Sequence, residues 1–306
     1  MQSEKTLSGQ VAWVTGSSRG LGRVMATELC RFGASVAVHG TRFDSPKSFG
    51  EGESMQQVAR DIADDAAKAS VEDTSGTVVM GGVAGVESSS PQPPAAGFTM
   101  PIWGDVTNEA EVKRMASEIR KRFGKIDILV TNAGGDIGVG GTGVGKGGRP
   151  EPDDCIGIPL ADIKAVMDRN LLSCILCCRE VAPEMQARKH GRIITIGSIA
   201  GTFGRDDGAI YGVAKAAVHE YTRCLAVQLR PHNVTVNCVA PGGTVTNRFL
   251  VIHEIDQGKL IEEGTLDRYG RPHEVASVVG FLASDAARFI SGQVIRVDGA
   301  SQCWPA

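Results

Sequence analysis

The 306 residues predict an α/β fold, a parallel sheet covered by helices on both faces. Three observations predict it. Short apolar runs alternate with longer helical stretches, the order a parallel sheet requires. Each run is apolar throughout rather than at alternate positions, as strands buried on both faces are. The first run leads directly into a glycine-rich turn that opens a helix.

In order, Val11–Thr15 is the first strand and ends in that turn. Gly20–Phe32 reads as a helix closed by Gly33. Ser35–His39 is the second strand and Glu53–Ala67 the helix after it. Thr99–Trp103 is the third strand, ending at Gly104 and Asp105. Asn108 caps a helix through Phe123, with Glu111 at capping-box spacing. Ile128–Thr131 is a fourth strand, Leu160–Ala187 a long helix and Arg192–Gly197 a fifth strand. Ala209–Leu229 is a second long helix, Val234–Val239 a sixth strand, Pro272–Ser284 a helix and Gln293–Val297 the last strand.

Two segments break the rhythm, and both exceed ordinary connections. They read as insertions in a single domain spanning residues 1–306. Lys68–Phe98, rich in Ser, Gly, Pro and small residues, is expected as a surface excursion. Gly135–Cys155 holds eight glycines and leaves the sheet at the C-terminal edge of the fourth strand. Ligands bind at that edge in open α/β sheets, so this insertion is expected to border a site.

Thirty-two Lys and Arg against 35 Asp and Glu leave a net charge of −3. That excludes a strongly basic footprint for nucleic acid or an anionic membrane. No apolar run approaches the ~18–20 residues of a membrane span, and Met1–Lys5 lacks the apolar stretch of a signal peptide. Eight scattered cysteines in a chain of this size fit free thiols in a reducing compartment, so a cytoplasmic protein is expected. Cys174, Cys177 and Cys178 fall at i, i+3, i+4 of a helical pattern with no second Cys or His pair. They read as a packed face, and no metal site is expected.

In Thr15-Gly16-Ser17-Ser18-Arg19-Gly20-Leu21-Gly22, glycines between a strand and a helix let backbone N–H groups approach a pyrophosphate. The spacing of Gly16, Gly20 and Gly22 departs from the usual G-x-G-x-x-G, and its position at the first strand-to-helix junction carries the weight. An adenosine ribose would lie near the end of the second strand, where an NAD site wants a carboxylate. Gly40 and Thr41 stand there instead, Asp44 comes late, and Arg42 and Arg19 offer two cations to a 2′-phosphate. NADP(H) is therefore favoured, with NAD(H) possible as cofactor. Asp105 stands one step past the third strand, where its carboxylate would accept a hydrogen bond from an adenine amino group. Asn132-Ala133-Gly134-Gly135 ends the fourth strand with small residues against which a sugar can lie.

Tyr211 and Lys215 are four residues apart, on one helix face, and Ser198 lies 13 residues upstream of Tyr211. Hydride transfer to a ketone develops negative charge on oxygen, and a proton must arrive as it does. A tyrosine can donate it, and a lysine cation one turn on favours the phenolate left behind; each pKa unit is ~1.4 kcal/mol. Ser198 is placed to hydrogen-bond the substrate oxygen, and Asn170 to hold a water that relays protons to Lys215. Singly, each has a plain reading as a cap, a turn or a polar interior residue. Together, with the glycine turn, they fall in one order at one sheet edge.

These residues, with Gly104-Asp105-Val106, Asn132-Ala133-Gly134, Pro241-Gly242 and Thr246, resemble the short-chain dehydrogenase/reductase family over nearly all of the chain except the two insertions. The resemblance implies a single Rossmann-type doubly wound domain with a seven-stranded parallel sheet and an Asn170, Ser198, Tyr211, Lys215 tetrad. It implies that Pro241–Thr246 touches the nicotinamide end, with backbone at Thr244 bonding the carboxamide. Gly40-Thr41-Arg42 and Tyr269-Gly270-Arg271-Pro272-His273-Glu274 look most like the 3-oxoacyl-carrier-protein reductase type. Thr244–Leu266 is then the mobile segment over the substrate, with Phe249, Leu250 and Ile252 as apolar lining. The family is usually tetrameric, so a homotetramer (or homodimer) is expected, with Cys174–Cys178 and the tail around Trp304 near subunit contacts.

The glycine-rich insertion is not what an acyl-carrier-protein reductase needs. A carrier partner favours a basic patch at the mouth of the site. Lys146, Arg149 and Arg248 are candidates, offset by Asp136, Glu151, Asp153 and Asp154. The expectation is an oxidoreductase acting between NADP(H) and a ketone or secondary alcohol. An NAD-dependent catabolic dehydrogenase of a sugar or polyol is the alternative. A nucleotide-binding protein without turnover is remote, because such relatives usually lose the Tyr or the Lys, and a lyase on the same scaffold typically replaces the Lys.

Overall fold

A computed structural model describes residues 6–72, 97–262 and 264–303. Most of the Lys68–Phe98 insertion and Trp304 lie outside these residues. The described elements run β1 (Val11–Val14), α1 (Gly20–Arg31), β2 (Ser35–Gly40), α2 (Met55–Glu72), β3 (Thr99–Trp103), α3 (Glu109–Phe123) and β4 (Ile128–Thr131). They continue with α4 (Leu160–Met167), α5 (Ser173–Arg188), β5 (Gly191–Ile196), α6 (Ala209–Leu229), β6 (Val234–Pro241), α7 (Asn247–Ile252), α8 (Pro272–Ala283) and β7 (Val294–Val297).

All strand pairs are parallel, in the order β3-β2-β1-β4-β5-β6-β7. Successive side chains point to opposite faces of a strand, so each all-apolar run feeds two cores. Ala12 and Val14 pack with Met25 and Leu29 of α1, Val58 and Ile62 of α2, and Val275 and Val279 of α8. Val11 and Trp13 pack on the other face with Met115 and Ile119 of α3, Val181 of α5 and Val218 of α6. Cys174, Cys177 and Cys178 belong to this second core. Their side chains face the sheet, not the surface.

Three local differences from expectation have physical causes. The stretch read as one helix, Leu160–Ala187, carries a π-helical turn at Asp168–Leu172 between α4 and α5. Such single turns occur often at functional sites, and this one holds Asn170. Asn108 caps α3 by accepting the N–H groups of Ala110 and Glu111. The reciprocal half of the capping box is not made, because the Glu111 carboxylate pairs with Arg114 at 3.1 Å. Helix α2 continues to Glu72, so the first insertion begins as helix.

The strand order reverses direction between β1 and β4. Their C-terminal ends are stitched there: Asn132 Nδ2 donates to the carbonyl oxygens of Thr15 and Gly16, and Thr15 Oγ1 accepts the N–H groups of Asn132 and Ala133, all at 3.0 Å. A crevice opens at such a switch point.

Candidate active site

Two adjoining clefts occupy this edge, of about 530 and about 400 Å³. Both have Gly16, Arg19, Asn132 and Gly134 in their walls. The larger also takes Gly20, Leu21, Gly22, Ser198, Tyr211, Lys215, Pro241, Gly242, Thr244 and Thr246. The smaller takes Ser18, Arg42, Asp105, Val106 and Ala133. The expected cofactor-binding and catalytic residues therefore line one continuous crevice, except Asn170, which stands behind its wall.

The turn after β1 is glycine for steric reasons. Gly16 has φ +64° and Gly20 φ +54°. A Cβ on Gly16 would stand 2.9 Å from Ala133 Cα, and one on Gly22 would collide with the Gly16 carbonyl. Helix α1 has no side-chain cap from its own N-terminal residues and no acid in its first turn. Its Gly20 N–H donates instead to Glu51 Oε2 at 2.7 Å, from the loop after β2. A polyanion would meet this helix end and the close backbone favourably, so the residues present fit a dinucleotide.

His39 fixes the turn from below. Its Nδ1 accepts the Gly16 N–H and its Nε2 faces the Gly104 carbonyl, both at 2.9 Å. That pairing assigns the neutral ring with the proton on Nε2. Burial pushes the imidazole down to about 4. Neither His39 nor Glu51 was singled out from the sequence. A histidine inside an apolar strand is a visible signal; Glu51 leaves none.

At the adenosine end, Arg19 donates to the Ser45 carbonyl at 2.8 Å and lies over the Phe49 ring. Arg42 is exposed and meets Asp44 at 3.2 Å. Asp105 Oδ1 accepts the N–H and hydroxyl of Thr107.

At the reactive end, Lys215 is buried and donates to the Ile196 carbonyl at 2.8 Å. Its ammonium lies 5.6 Å from the centre of the Tyr211 ring. Ser198 Oγ accepts the Ala200 N–H at 3.1 Å and still faces the cleft. Asn170 donates to the carbonyls of Gly135 and Val166, both at 2.8 Å, and accepts the Gly135 N–H at 2.9 Å. Both of its amide hydrogens are thus engaged with backbone, and the side chain pins the start of the insertion.

The Gly135–Cys155 insertion borders the cleft through Gly135, Asp136, Ile137 and Arg149. Arg149 Nε lies 2.6 Å from Asp153 and 3.3 Å from Asp136, and its Nη2 lies 2.8 Å from Asp207. Burial and the neighbouring Asp153 push the Asp136 carboxyl up to about 7. Hydrogen bonds from Arg205 and Arg149 hold Asp207 down at about 2. Over the cleft, Thr246 caps α7, and Phe249 packs edge-on to Tyr269 with ring centres 5.0 Å apart. Phe249 and Ile252 face the cleft, but Leu250 is exposed and does not line it. The helical turn of α7 sends Leu250 and Val251 to solvent, which corrects the expectation for Leu250.

A parallel sheet with such a crevice at its switch point, a glycine turn on one side and a Tyr–Lys pair on the other, defines a dinucleotide-binding oxidoreductase fold. Residues 58–300 match the family described as enoyl-(acyl carrier protein) reductase. The chain is 34% identical to a cyclohexanol dehydrogenase of Rhodococcus sp. (strain TK6), over 98% of each chain. It is 32% identical to a 3-oxoacyl-[acyl-carrier-protein] reductase of Synechocystis sp., over 96% of this chain and 97% of that one. Among solved structures, a 7α-hydroxysteroid dehydrogenase complexed with NADH and 7-oxo glycochenodeoxycholic acid superposes with a TM-score of 0.73 at 26% identity, covering 98% of this chain and 97% of that one. The chain belongs to the short-chain dehydrogenase/reductase family, whose members are NAD(P)-dependent oxidoreductases.

Proposed function

We propose that the protein interconverts a ketone and a secondary alcohol, with NADP(H) preferred over NAD(H) and Tyr211 as general acid/base. One observation carries this reading: Tyr211, Lys215 and Ser198 face the same crevice that begins at the α1 turn. The bound nicotinamide supplies or accepts the hydride. Tyr211 delivers the proton to the substrate oxygen, and the Lys215 ammonium, 5.6 Å from the phenol ring, favours the phenolate that remains. Ser198 donates to the same oxygen and orients it. Asn170 acts as a positioning residue by fixing Gly135 beside the reacting atoms.

Gly16, Gly20, Leu21 and Gly22 approach the pyrophosphate. Asp105, Val106, Asn132, Ala133 and Gly134 surround the adenosine and nearer ribose. Pro241, Gly242, Thr244 and Thr246 hold the nicotinamide end. Ser18, Arg19 and Arg42 support the 2′-phosphate assignment, since all three border the smaller cleft and two of them carry guanidinium groups. One observation favours the second reading, an NAD-dependent catabolic dehydrogenase of a sugar or polyol: Arg42 already faces a carboxylate, Asp44.

The test combines fluorescence titration with NADPH and NADH and a screen of ketones, acetoacetyl esters and sugar alcohols. NADPH should bind more tightly, and Tyr211→Phe should abolish turnover while leaving dinucleotide affinity within about twofold. Full activity of that variant would overturn the Tyr211 assignment. Preference for NAD⁺ with sugar or alcohol oxidation would turn the reading to the second one.

A further inference from the structure

At the substrate end of the cleft one guanidinium stands apart from the ion pairs around it. Of the cations expected at its mouth, Lys146 pairs with Glu151 at 2.7 Å and Arg149 with Asp153 at 2.6 Å. Arg205 meets Asp207 at 2.9 Å. Arg248 differs from all three. Its Nη2 and Nε donate to the carbonyl oxygens of Asp136 and Gly147, at 2.6 and 3.3 Å, and among the described residues no carboxylate lies within ion-pair distance of it. Tyr211 and then Asp136 act on it electrostatically, and the Asp136 carboxyl is turned toward Arg149 at 3.3 Å.

Arg248 is also largely withdrawn from water, and burial lowers its pKa. Holding a guanidinium out of water without a counter-charge is costly. Two edges of this fork are used by backbone carbonyls. The Nη1 edge is left open by the absence of a side chain on Gly135, where a Cβ would stand 3.3 Å away. Arg248 and Tyr211 line the same cleft and interact electrostatically. Phe203, Phe249 and Ile252 give the same cleft apolar wall, with His253 and Glu254 beside them.

We propose that the substrate bears a carboxylate on a hydrocarbon body, in addition to its ketone or secondary alcohol, and that Arg248 is the specificity-determining residue that binds it. The proposal rests on the oxidoreductase reading above. A planar fork recognises a carboxylate through charge-assisted hydrogen bonds, and the anion supplies the charge the site lacks.

The experiment compares 3-oxo- and 4-oxocyclohexanecarboxylate with their methyl esters and with cyclohexanone, in the wild type and in Arg248→Met, with dinucleotide Kd measured for both proteins. At least one acid should exceed its ester in kcat/KM by on the order of tenfold or more, the size of a charged hydrogen bond. R248M should erase that preference while dinucleotide Kd stays within about twofold. Equal use of acids and esters by the wild type overturns the proposal. So does an R248M defect that falls on dinucleotide Kd, which would give the guanidinium to the pyrophosphate. Because Arg248 also ties α7 to the insertion, a wild-type measurement stands beside the variant: KM for the acid should rise with sodium chloride, and KM for the ester should not. If no ketone turns over although dinucleotide binds, the oxidoreductase reading has failed by itself. Calorimetry of cyclohexanecarboxylate with the dinucleotide complex then decides the anion site, with binding lost in R248M upholding it and no binding to the wild type overturning it.

Discussion

His39 shows what a single side chain does for the whole crevice. It bridges the turn after β1 and the end of β3, and it does so only as the neutral ring, because Nδ1 must accept from Gly16. Its folded-state pKa of about 4 lies below the ~6.5 of a free histidine. The unfolded chain therefore gains a proton that the folded chain refuses. Stability from His39 is complete above about pH 6.5 and is lost as pH falls toward 4, by on the order of 3 kcal/mol. His219, which faces the Ser198 N–H, is also held down to about 4 by burial and contributes in the same window. Urea melts between pH 6.5 and 4.5 should show a steep loss in the wild type and a shallower one in His39→Gln. An unchanged slope would mean that the folded ring takes up the proton. The residues visible in the sequence were those whose spacing is local: Tyr211 and Lys215 share a helix face, and Gly16 to Gly22 form one turn. His39 and Glu51 were not, because their partners, Gly104 and Gly20, lie 65 and 31 positions away.

At the scale of elements, α1 is the instructive case. Sequence reading located the helix to within a residue, but it did not find its cap, which comes 31 positions later from Glu51. A carboxylate at a helix N-terminus is stabilising by about 0.3–1 kcal/mol. It also occupies the charge complement of the pyrophosphate proposed to lie there. Glu51→Gln keeps an acceptor oxygen and removes the charge. It should lower thermal stability slightly and tighten dinucleotide binding several-fold, measured by melting and by fluorescence titration. Weaker binding would show that Glu51 assists the dinucleotide rather than opposing it. The long helix before β5 teaches the complementary lesson. Its apolar face is continuous in the sequence, and nothing in that pattern marks the π turn at Asp168–Leu172. The extra residue in that turn accompanies two tertiary bonds from Asn170 to Gly135.

For the molecule as a whole, the parallel class and the strands that form it were legible because the strands are short, mostly apolar runs. Strand order was reachable only through family resemblance, since registers such as Ala12 with Ile128 join distant segments. Leu129 measures how much that central pairing carries: it is fully buried in β4, between β1 and β5. Leu129→Ala should cost about 2–5 kcal/mol, read as a lower denaturant midpoint at an unchanged m-value. The same order has a consequence for how the chain is made. β1 leaves the ribosome early, but its neighbour on one side, β4, follows more than a hundred residues later. At about 5–20 residues per second, that edge waits on the order of ten seconds for its partner. During translation this interior strand of the finished sheet is an outer one, with a row of unpaired backbone groups open to any passing strand. The nascent chain is therefore most exposed to mispairing at the place where the finished protein is best protected.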